Sequence, residues 1–381
     1  MKKVFLFSVF LLCGLVLSQV LPGMMGDSYS FFEKIFKNLM FICLAFIMIN
    51  VGREFELDKK QWRSYTADYF IAMATAAVPW LLVAFYYIYL LPHNDLSWDK
   101  SLLISRFAAP TSAGILFTML AAAGLKKEWI YKKTQVLAIF DDLDTILLMI
   151  PLQILMIGFK WQLFVIVFVV CVLLIVGWRK LSAVELPQSW KAILLYSVCL
   201  VAVVESIYLL SKSLMGSEGA IHIEVLLPAF VLGMVMKTMH IEGRGEERAG
   251  SAVSYVFMFL VGMSTPLFIG AGASAESDFY LPEWGTVAFH VAMVTLLSNI
   301  GKMFPLLFYR DRNILERLAL SIGMFTRGEV GAGIIVIALS YQLGGIAVIV
   351  SLLSLVLNLI LTGFFVVAVK RISQKVYGTK E

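Results

Sequence analysis

Runs of about twenty mostly apolar residues recur along nearly the whole chain, and they restrict its fold more than any other feature. A helix needs about 20 such residues to cross a bilayer. Twelve candidate spans are read, at roughly 4–21, 36–52, 67–91, 101–124, 134–158, 162–178, 191–211, 221–238, 250–272, 285–309, 314–340 and 344–369. With 60% of its 381 residues hydrophobic and only 15% charged, the chain lacks the polar surface of a soluble domain of this size. The expected class is an all-α membrane protein with about 12 transmembrane helices.

Positive charge tests the segmentation, because cytoplasmic loops are rich in Lys and Arg. With both termini cytoplasmic, 23 of the 31 Lys and Arg residues fall on the inner side and 5 on the outer side. Arg106, Lys302 and Arg327 lie within spans. The net charge of +5 thus reflects topology and gives no reason to expect a nucleic-acid partner. Trp62, Trp98, Trp129, Trp161, Trp190 and Trp284 cluster near span ends, as an interfacial belt requires. All four cysteines lie inside apolar spans and read as packing residues. No metal-ligand spacing or cofactor motif is present. The start "MKKVFLFSVFLLCGLVLSQ" also has the layout of a cleavable leader, although repeat symmetry favours its retention. Loops are short, and the tail from Lys370 is too short for a nucleotide-binding regulatory domain, so one membrane domain is expected over 1–381.

Span 4 contains "FAAPTSAGI", where Pro110, Thr111, Ser112 and Gly114 interrupt a helix. Span 11 contains "GMFTRGEVGAG", where Gly323, Gly328, Gly331 and Gly333 do the same. Counted from spans 1 and 8, both are fourth. Broken segments at matching positions of two halves point to two inverted five-helix repeats and a transport site where the breaks meet.

Span 5, "AIFDDLDTILLMI", carries Asp141, Asp142 and Asp144. Each charge at a helix centre costs about 2.5–3.5 kcal/mol on insertion scales. At 100° per residue, Asp141 neighbours Asp144, Asp142 neighbours Thr145, and Asp142 and Asp144 face apart. Buried carboxylates can take a proton, or bind a hard cation through oxygen when ionised. A structural polar knot between helices is the plainer alternative. Lys302 of span 10 needs a carboxylate partner, and span 5 can supply one. Thr111 and Ser112 can offer hydroxyls or freed carbonyls to an ion. Arg327 and Glu329 are expected to balance the helix ends of span 11, or to pair with each other. Glu205 of span 7 is a further intramembrane acid that could meet a dimer partner or a lipid. Arg106 is expected to snorkel outward, and His222 and Glu224 to sit at a span boundary. No nucleophile–base pair suggests an enzyme.

In this order and on these spans, "AFIMINVGREFELD", "APTSAGI", "AIFDDLDTI" and "GKMFPLLFYRDRNILERLALSIGMFTRGEVGAG" resemble the monovalent cation:proton antiporters of the superfamily's second branch. The resemblance runs along nearly the whole chain. It implies that Asp142 is the ion-binding carboxylate, that Asp141 pairs with Lys302, and that Thr111 and Ser112 belong to the crossing region. It implies electrogenic exchange of sodium or lithium for protons across the inner membrane, by a homodimer in lipid. A core, approximately helices 67–158 and 250–340, would move like an elevator against dimerisation helices. Three departures stand out: the additional acid Asp144, Gly52-Arg53-Glu54 in span 2, and the missing extra N-terminal helix. Potassium/proton exchange, sodium-coupled organic-anion symport and a transport-dead sensor are the alternatives.

Overall fold

The computed structural model describes residues 2–26, 29–53, 62–92, 96–112, 120, 125, 128–148, 151–152, 162–180, 183–215, 225–237, 244–265, 283–341 and 343–377. Among them the chain is helical, with a single isolated bridge between Val184 and Met236. Helices satisfy their own backbone groups, which lipid cannot do for them. The helices are α1 (Lys2–Met25), α2 (Tyr29–Arg53), α3 (Trp62–Tyr89), α4 (Trp98–Ser105), α5 (Trp129–Leu147), α6 (Gln162–Arg179) and α7 (Trp190–Met215). They continue as α8 (Leu226–Val235), α9 (Arg244–Met263), α10 (Trp284–Gly301), α11 (Ile314–Gly323), α12 (Glu329–Ser340) and α13 (Ile346–Tyr377). Five tryptophans open helices α3, α4, α5, α7 and α10.

Among the described residues, six helices are long and apolar enough to cross a membrane, and three shorter apolar ones accompany them. Several of the twelve expected spans are seen only in part among the described residues. Span 11 is split into α11 and α12, and of span 4 the described run is α4 and the chain after it to residue 112. Spans 5, 8 and 9 run into residues outside the described set, where Gly114, Trp161, His222 and Glu224 also lie.

Two contact units are present. The first comprises Met1–Gly26, Lys59–Thr145 and Val261–Glu381. Here α13 is the hub, receiving α1, α4, α10, α11 and α12, while α3 packs on α4 and α10. Polar side chains bond across these apolar faces. Thr295 Oγ1 lies 2.8 Å from Ser354 Oγ, Asn358 donates to Asn299 at 3.0 Å, and Tyr87 meets Ser351 at 2.6 Å. Such pairs hold helices together where no hydrophobic effect separates protein from lipid. Gly301 lets α10 reach Pro79 of α3, against which a Cβ would collide.

The second unit comprises Asp27–Asp58 and Ile146–Leu260. In it α8 packs on α2, α6 and α7. Gly52 and Gly233 sit where α2 and α8 cross, and a Cβ on either would strike a carbonyl oxygen of the other helix, Phe230 O or Ile49 O. Small residues at such a crossing let two backbones approach closely. Gln188 joins Arg53 at 3.0 Å and also donates to the Lys237 carbonyl. Helix α7 exposes Leu195, Val203, Leu209 and Leu210 and carries the half-buried Glu205, for which no hydrogen bond or ion pair is present among the described residues.

Candidate functional site

The interruption of span 4 begins where α4 ends at Ser105. A short 3-10 turn, Arg106–Ala108, follows, and the chain then runs without helix through residue 112. Pro110 has no N–H to continue a helical ladder. Span 11 is interrupted between Gly323 and Glu329. The two interruptions bond to each other: Ser112 N donates to Thr326 O at 2.9 Å, Thr326 Oγ1 to Ser112 O at 3.4 Å, and Thr111 Oγ1 to Met324 O at 3.2 Å. Thr111, Ser112 and Thr326 are all buried. Backbone groups released by each break are thus taken up by the other, as a water-poor interior demands.

Charges stand at the helix ends so created. Glu329 opens α12, where the helix dipole is positive, and accepts from Ser112 Oγ at 3.3 Å. Arg327, 1% exposed, donates to Met324 O at 3.2 Å and Ser298 O at 3.4 Å, at the C-terminal ends of α11 and α10. Arg327 and Glu329 thus serve different helix ends, and no ion pair joins them among the described residues.

Helix α5 contains no Gly or Pro from Trp129 to Leu147 and presents its acids to the protein interior. Asp141, Asp142 and Thr145 are 0% exposed and Asp144 is 2% exposed. Lys302 caps the C-terminus of α10. Its Nζ lies 2.6 Å from Asp141 Oδ2, with both side chains at 0% exposure. Asp141 Oδ1 has no hydrogen-bond partner among the described residues. Asp142 lies within electrostatic reach of Lys302, and Asp141 within reach of Arg327. The Asp144 carboxylate turns instead to the Tyr69 hydroxyl of α3. The three buried acids Asp141, Asp142 and Asp144 are matched by three buried cations, Arg106, Lys302 and Arg327.

Arg106 does not snorkel. It is 0% exposed, because α4 stops one residue earlier and the turn carries the side chain toward the end of α5. Its Nε donates to Thr145 O and one terminal nitrogen to Asp144 O, both at 2.9 Å. A second cluster was also not read from the sequence. Asp68 of α3, 3% exposed, accepts from Lys133 of α5 at 2.8 and 2.9 Å and from Tyr309 at 2.8 Å. Tyr309 adopts φ 53°, a costly conformation for a bulky side chain. One signal for this cluster was available: Asp68 lies inside span 3, not in a loop.

The sequence matches the family model described as "Sodium/hydrogen exchanger, transmembrane" over residues 2–369. Among solved structures, the sodium proton antiporter MjNhaP1 from Methanocaldococcus jannaschii at pH 8 is similar in fold, with a TM-score of 0.61 at 14% identity. The likeness covers 95% of this chain and 91% of that one. No curated protein matches the chain.

Proposed function

The chain belongs to the sodium/hydrogen exchanger family, a family of transporters rather than enzymes, and from this premise we propose that it exchanges sodium for protons at Asp142. The carrying observation is the fully buried row of Asp142, Asp141 and Lys302, in the same contact unit as the two mutually bonded interruptions. An ionised Asp142 offers oxygen to a dehydrated alkali cation, with Thr111 and Ser112 and their carbonyls near the crossing as further ligands. A proton competes for the same oxygens. When the cation leaves, protons neutralise the acid pair, and Asp141 releases Lys302. Two protons against one cation would make the cycle electrogenic, with lithium accepted alongside sodium.

In this reading, helices at approximately 67–158 and 250–340 carry the ion in an elevator-type motion, and the remaining helices form scaffold and homodimer contact in lipid. The proposed setting is the inner membrane, with both termini cytoplasmic, which the 23-to-5 distribution of basic residues supports.

The test is cation-induced dequenching of a pH dye in proteoliposomes, with sodium, lithium and potassium, with and without valinomycin. Sodium and lithium should drive proton flux that responds to the voltage clamp, and Asp142→Asn should abolish it. Wild-type rates in Asp142→Asn would remove the site. Flux driven by potassium alone would reassign the cation, and sodium-dependent uptake of an organic anion without proton flux would reassign the class.

A further inference from the structure

The buried Arg106 is unused by the exchange chemistry above, yet it joins the two parts that such a site must hold in register. We propose that Arg106 is a positioning residue for exchange, tying the acid-bearing end of α5 to the first chain interruption. The proposal rests on the reading that Asp142 is the ion carboxylate.

The carbonyls of Asp144 and Thr145 lie in the last turn of α5, where helix carbonyls run out of intrahelical donors. The two nitrogens of Arg106 supply the missing bonds as a planar fork, both at 2.9 Å. A lysine, with its single ammonium, cannot reproduce that fork. A positive charge there also complements the negative end of the helix dipole. The guanidinium carbon lies 4.7 Å from the Trp80 ring centre, and Trp80 is itself fixed by its indole N–H on Leu102 O at 2.7 Å. The remaining nitrogen, Nη1, has no hydrogen-bond partner among the described residues. Asp144 and, at longer range, Asp141 are the acids within its electrostatic reach.

Sequence spacing converts this clamp into site geometry. Arg106 stands five residues before Thr111, while its acceptor residues stand two and three after Asp142. The distance between an α5 carboxylate and the unwound segment is therefore set across one short bridge. Asp144, the acid that departs from the resemblance, is the residue whose carbonyl the clamp holds. Its carboxylate lies within reach of both the guanidinium and the Tyr69 hydroxyl.

The experiment compares wild type, Arg106→Gln and Arg106→Lys by sodium titration in proteoliposomes and by hydrogen–deuterium exchange of the peptide covering the end of α5. Both variants should raise the sodium KM by about tenfold, within the order of 100-fold that a 1 Å misplacement can cost, with a much smaller change in maximal rate. Amide exchange in the last turn of α5 should quicken in both, most in Arg106→Gln. A wild-type KM together with wild-type protection overturns the proposal. If Arg106→Gln does not fold, Arg106→Lys decides alone, since it keeps the charge and loses the fork. Asp142→Asn is run in parallel: if it still exchanges sodium, the Asp142 reading fails, and the exchange protection at α5 still judges Arg106.

Discussion

Replacing Lys302 by methionine removes a charge without removing bulk, and it isolates what the Lys302–Asp141 pair contributes. Nζ and Oδ2 are 2.6 Å apart and both side chains are fully buried. Leaving one member of such a pair costs about 3–5 kcal/mol, because the survivor keeps a charge with neither water nor partner. Arg327, also within reach of Asp141, should hold the loss near the lower end. At about 2 °C per kcal/mol for a large domain, the purified protein should melt about 6 °C lower in detergent. Adding Asp141→Asn removes the stranded charge, so the double variant should recover more than half of that loss. Recovery should be incomplete, since Lys302 also caps α10, and a cation at a helix C-terminus contributes roughly 0.3–1 kcal/mol. A single variant melting within about 2 °C of wild type, or a double variant showing the plain sum of two losses, would refute the reasoning.

Gly233→Leu should lower the melting temperature by an amount equivalent to about 1–3 kcal/mol or more, since any Cβ there meets Ile49 O on α2; an unchanged melt would refute the close crossing. Tyr309→Phe removes a 2.8 Å bond to Asp68, which also pairs with Lys133, and should cost about 1.5–3 kcal/mol, read from the same melts. Lys237→Ala should change the melt only slightly at neutral pH, because Lys237 and Glu185 pair at 2.6 Å with both side chains mostly exposed and surface pairs contribute little. Lys237 holds the Glu185 carboxyl below its usual 4.5. A depressed acid stabilises the fold above its ordinary value and loses that effect as pH falls, so the small difference between the two proteins is present above about 4.5 and fades below it. A shift of several degrees at neutral pH would contradict this account.

The all-helical class was legible from apolar run length alone, because lipid leaves the backbone few ways to satisfy itself. The two interruptions were legible too, since Pro110 and the Gly residues of span 11 act locally. So was the inward turn of the α5 acids, which hydrocarbon would not accept. Partners across helices were legible only in part. Lys302 had to meet an acid, and local sequence offered three candidates on α5. Arg106 read as a snorkelling residue because a helix-wide view ignored that α4 stops beside it. The clusters around Arg106 and Asp68 depend on where α3, α5 and the 302–309 turn lie relative to one another, and no local periodicity encodes that. Sequence alone therefore determined which groups must be hidden from lipid and where helices must break, both consequences of desolvation that each segment carries by itself. Tertiary structure alone decided which buried cation stands beside which acid, because that depends on angstrom-scale packing between segments distant along the chain.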